Sequence, residues 1–109
     1  LVELIEQGKA DSPETEALLE KILVLWRGKL NALVLGCTHY PFVKKTVARI
    51  LGEQTELLDG SLGTARETKR RLEEAGLLRE GAGEVTIEDS APGGEIIELA
   101  RRLLEQPET

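Results

Sequence analysis

Apolar positions along the chain fall into short blocks whose spacing alternates between helical and extended. Leu1 to Gln7 reads as the end of a helix stopped by Gly8. Asp11-Ser12-Pro13-Glu14 is a helix start, with a capping side chain, a proline in the first turn and acids at the positive end of the dipole. Leu18, Leu19, Ile22, Leu23 and Trp26 then recur at a spacing that places them on one helical face, and Gly28 ends the helix. Ala32 to Leu35 is an unbroken apolar run, the pattern of a strand buried on both faces. Gly36 to Tyr40 forms a turn, and Pro41 suits the first position of a new helix. Phe42, Val43, Thr46, Val47, Ile50 and Leu51 supply its buried face, and Gly52 closes it.

The cycle repeats: a strand over Thr55 to Leu58, a turn at Asp59-Gly60-Ser61, a helix from Leu62 to Ala75 and a stop at Gly76. Val85 and Ile87 predict a third strand over Glu84 to Glu88. Pro92-Gly93-Gly94 leads into a last helix from Glu95 to Leu104, and the tail beyond Gln106 is expected to fray. Strand, turn and helix in succession with short links build a parallel sheet through right-handed crossovers. The predicted fold class is therefore α/β, a small parallel sheet with flanking helices. The edges of a sheet this small are usually covered or extended by neighbours.

Composition narrows the function. Of 109 residues, 40% are hydrophobic and only 3% aromatic, so Leu, Ile, Val and Ala must do most of the packing in one compact unit. No methionine occurs and the chain opens in mid-pattern, which predicts that it is a piece of a longer protein. A net charge of −6 argues against a nucleic-acid surface, which needs a basic stripe to release counterions. The basic cluster Lys69-Arg70-Arg71 is interleaved with Glu67, Glu73 and Glu74 and reads as a solvated helix face. No apolar run reaches the roughly 20 residues of a membrane span, so no membrane partner is expected. A lone cysteine forms no intramolecular disulfide, which fits a reducing, cytoplasmic setting.

The candidate chemistry lies in Leu33-Val34-Leu35-Gly36-Cys37-Thr38-His39-Tyr40-Pro41. A thiol, a hydroxyl and an imidazole fall at the C-terminal end of a strand, just before a helix, where open parallel sheets bind ligands. The positive end of the helix and a nearby imidazole both favour the thiolate, the reactive form. The residues alone leave other readings open. Cys37 could be a small buried hydrophobe, His39 a solvated or capping group, Thr38 a helix cap and Tyr40 a packing residue. Two candidate ligands are too few for a zinc centre, so no metal is expected. Pro92-Gly93-Gly94 lacks an adjacent Lys or Arg and reads as a plain loop rather than a phosphate cradle.

The string Gly36-Cys37-Thr38-His39-Tyr40-Pro41 resembles the signature around the second catalytic cysteine of glutamate racemases; related aspartate racemases usually carry an acid where His39 stands. Leu1 to Gly8 is similar to the segment upstream of that cysteine. Leu58-Asp59-Gly60-Ser61 with Thr64-Ala65-Arg66 is similar to the segment that returns the chain to the family's first lobe. The resemblance implies a two-lobed fold, with about 1–58 in the second lobe and about 59–109 returning to the first. It also implies cofactor-independent racemisation of glutamate by two cysteines facing opposite sides of the α-carbon, in the cytoplasm, for peptidoglycan synthesis. Cys37 would serve one face, His39 would exchange protons with it or with the amino acid, Glu6 would orient His39, and Thr38 would bind the substrate.

The family's first cysteine and early Asp-Ser motif have no counterpart here, so the chain is expected to carry half a site and to be inactive alone. Its implied partners are glutamate, the missing N-terminal lobe and, as an option, a second copy in a homodimer. Asp59-Gly60-Ser61 departs from the family's usual Asp-Ser order, and no substrate contact is assigned there. Two other functions remain in view: a non-catalytic interaction module of racemase descent, and a thiol hydrolase using Cys37 and His39 as nucleophile and base.

Overall fold

The computed structural model describes residues 1–106, and the fraying expected beyond Gln106 falls outside them. The order is α1 (Val2–Glu6), α2 (Pro13–Leu23), β1 (Ala32–Val34), α3 (Lys44–Leu51), β2 (Glu56–Leu58), α4 (Ser61–Glu74) and α5 (Glu95–Leu104). Short 3₁₀ turns at Val24–Trp26 and Tyr40–Val43 extend α2 and lead into α3. The strands pair in parallel, with Ala32 opposite Glu56 and Val34 opposite Leu58, and α3 is the crossover between them. The fold is α/β with a small parallel sheet, as the pattern predicts.

Local chemistry accounts for the helix boundaries. Ser12 Oγ accepts from Thr15 N at 3.3 Å, capping α2 ahead of Pro13. Gly52 ends α3 with φ 93°, a backbone state that side chains with a Cβ avoid. The core gathers Ile5 of α1, Leu19 and Leu23 of α2, and Val43, Val47, Ile50 and Leu51 around α3, with Leu33 and Leu57 of the sheet packed against it. Each such aliphatic side chain contributes about 1.5–3 kcal/mol by leaving water. Arg27 reinforces the α2–α3 contact by donating from Nε to Ile50 O at 2.6 Å.

Three expectations are corrected. Residues 84–88 form no strand: Val85 is 73% exposed, and β1 and β2 pair only with each other among the described residues. Alternating β-branched residues become a strand only where a neighbouring ladder accepts them. The sheet is also not covered on both faces. Val34 is 68% and Leu58 42% exposed, because no residue of α4 is buried. Finally, Ile22 and Trp26 lie outside the buried stripe of α2: Ile22 is 50% exposed within the helix itself, and Trp26 follows the tighter 3₁₀ turn from Val24, which takes the chain off the helical phase.

Candidate active site

The parallel register builds the site. Leu35 N donates to Leu58 O at 2.7 Å, so the chain leaves β1 and β2 side by side at their C-terminal ends. Gly36-Cys37 follows one strand and Asp59-Gly60 the other. The β1 exit folds into a tight turn, with Tyr40 N donating to Cys37 O and Phe42 N to His39 O, each at 3.2 Å. The turn runs directly into α3 and fixes where Cys37, Thr38 and His39 point.

Two clefts meet at that turn. Cys37 is partly buried and lines the first, of about 670 Å³, with Thr38, Pro41, Asp59 and Ser61. His39 and Glu6 line the second, with Phe42 and with Leu99 and Leu103 of α5. Thr38 borders both. Glu6 Oε1 stands 3.0 Å from His39 Nε2, and Thr38 Oγ1 stands 3.3 Å from His39 Nδ1. The Glu6 carboxylate can only accept, so Nε2 carries the hydrogen between them; in the neutral imidazole Nδ1 is then free to accept from the Thr38 hydroxyl. Half-exposed Glu6 makes this contact worth no more than about 1 kcal/mol, so it orients the ring rather than stabilising the fold.

The structure thus brings Glu6, His39 and Thr38 into one chain of contacts, across 33 residues of sequence between Glu6 and His39. It does not join Cys37 to His39 directly: among the described residues the thiol makes no hydrogen bond to the imidazole, and Thr38 stands between them. Also among the described residues, no three His, Cys, Asp or Glu side chains are grouped so as to hold a metal ion.

The sequence pattern gave no role to Lys44 and assigned Asp59 no contact. Asp59 lies in the Cys37 cleft, where Lys44 Nζ from the first turn of α3 donates to its Oδ2 at 3.1 Å and Ser61 N donates to its Oδ1 at 2.9 Å. Hydrogen bonds from Ser61, then Lys44, hold the Asp59 carboxyl down at about 2, against an ordinary 3.8. The available signal was an Asp at a strand tip two residues before a helical amide, the arrangement of an Asx-turn.

No family model matches the chain. Individual proteins do. It is 43% identical over 108 residues to a glutamate racemase of Clostridium perfringens, with 96% of this chain and 42% of that protein covered. It is 41% identical over 109 residues to a glutamate racemase of Clostridium kluyveri, with 97% and 42% covered. The crystal structure of glutamate racemase from Thermus thermophilus in complex with β-chloro-D-alanine superposes with a TM-score of 0.74 at 38% identity, over 95% of this chain and 41% of that one. This chain is a homologue of glutamate racemases. It spans about 42% of the length of the curated racemases it matches. The racemase likeness runs through Gly36 to Pro41 and through both clefts, since nearly the whole chain is aligned.

Proposed function

We propose that this chain supplies one acid/base half-site, centred on Cys37, to a cofactor-independent glutamate racemase serving peptidoglycan synthesis in the cytoplasm. The observation that carries the reading is a partly exposed thiol at the C-terminal tip of a parallel strand, in an open cleft, within a chain homologous to glutamate racemases. As thiolate, Cys37 takes the α-hydrogen of glutamate as a proton, and the electron pair stays on the α-carbon. A second thiol on the opposite face returns a proton to that carbon. The reverse direction exchanges the roles, with Cys37 as donor.

Thr38 offers its hydroxyl to the substrate carboxylate or amino group from the rim shared by the clefts. His39, held by Glu6, relays protons from the neighbouring cleft. In this reading the half-site belongs to the second lobe, about 1–58, and about 59–109 returns to the first lobe, which provides the second thiol. The whole enzyme acts on glutamate. The hydrolase alternative needs nucleophile and base in hydrogen-bond contact, and the separate clefts of Cys37 and His39 give it no support.

Deuterium wash-in at the α-carbon of glutamate tests the proposal in the full-length enzyme. Cys37→Ala should abolish exchange starting from one enantiomer while leaving partial exchange from the other. Equal loss for both, or none, defeats the assignment. The 109-residue chain alone should give no racemisation, and turnover by it would refute the half-site reading.

A further inference from the structure

The pair formed by Lys44 and Asp59 ties together two parts of the chain that separately wall the Cys37 cleft. Lys44 opens α3, which continues directly from the Cys37–Pro41 turn, and Asp59 follows β2. The side chains are 31% and 11% exposed, so this contact is far better shielded than the ion pairs along α4. Asp59 is fixed from two directions, by Lys44 Nζ at 3.1 Å and Ser61 N at 2.9 Å. Among the described residues lining the cleft, Asp59 is the one ionisable group besides Cys37. Lys44 reaches it from α3, while His39 and Glu6 lie across Thr38 in the other cleft.

We propose that the Lys44–Asp59 ion pair is a positioning device for Cys37: it ties the turn that carries the thiol to the end of β2 at a fixed spacing and keeps the cleft wall at Asp59 electrically neutral. Its importance for turnover rests on the racemase reading above, but its effect on the thiol does not. An unpaired Asp59 would place a full negative charge in the cleft and disfavour the thiolate. A Lys44 left without Asp59 would place a positive one nearby and favour it. Neutrality therefore needs both partners. Lys44 and Asp59 are positioning residues, acting through Cys37.

Alkylation of Cys37 by iodoacetamide across a pH series, on the 109-residue chain, reads this directly. Lys44→Met should move the midpoint of the rate profile up and Asp59→Asn should move it down, each by about 0.3–0.5 unit. Lys44→Arg should restore the wild-type midpoint. A merely structural role would shift both variants in one direction or neither, and either result overturns the proposal. Circular dichroism identifies any variant that fails to fold, in which case Lys44→Gln or Asp59→Ser replaces it under the same expectations. In the full-length enzyme, Lys44→Met should lower kcat at least tenfold with KM changed less than threefold, and Lys44→Arg should recover most of it. Opposite alkylation shifts without an effect on turnover would leave the electrostatic device standing and count against the racemase reading alone.

Discussion

At the scale of single residues, Asp59 links the chemistry to the stability of the chain. Its carboxyl titrates at about 2 in the folded protein against an ordinary 3.8, so folding favours the ionised form. The stabilisation is complete above about pH 4 and disappears as the pH falls through about 2. Asp59→Asn should cost about 1 kcal/mol at pH 7, the scale of a charge-assisted hydrogen bond to Lys44, and much less at pH 2.5. Urea unfolding at the two pH values checks this, and an equal deficit at both would show that charge plays no part. Glu6 contrasts with Asp59: it is exposed, and its contact with His39 fixes a ring without holding the fold.

At the scale of elements, α3 and α4 are opposites. Thr46, Val47, Ile50 and Leu51 of α3 are buried, whereas α4 runs 14 residues with none buried and Leu62 56% exposed. The pairs of Arg70 and Arg71 with Glu67 are surface contacts that add little. Amide hydrogen exchange should therefore be slowest in α3 and β1, and faster by at least about a hundredfold along α4 beyond its first turn. Comparable protection in the two helices would contradict this picture. The contrast also marks what the sequence made legible. The stripe from Phe42 to Leu51 and the stops at Gly52 and Gly76 were readable, because spacing and positive φ are local properties. The vicinity of Cys37, Thr38 and His39 followed from their adjacency. Residues 84–88 misled because pairing depends on a neighbour, and alternation cannot reveal one. The Lys44–Asp59 contact was invisible because 15 residues of crossover close it.

At the scale of the molecule, the shape is thin, with extents of 48 × 38 × 19 Å and a radius of gyration of 16.8 Å. A compact chain of this length would measure about 13 Å. The excess reflects α4 and the stretch from 77 to 94, which bury almost nothing and leave Val34 and Leu58 of the sheet exposed to solvent. Such a face drives association when nothing covers it. Sedimentation velocity on the 109-residue chain should show self-association that sulfate strengthens and Val34→Lys weakens. A strictly monomeric profile with sulfate present would count against it.

Cys37, Thr38, His39, Lys44 and Asp59 all belong to a single strand–helix–strand stretch, and Glu6 alone arrives from elsewhere. Transplanted onto another parallel-sheet scaffold, that cassette would bring its thiol and its partly buried ion pair intact. It would arrive with an imidazole held on its Thr38 side alone, unless the recipient offered an acid about 3 Å away.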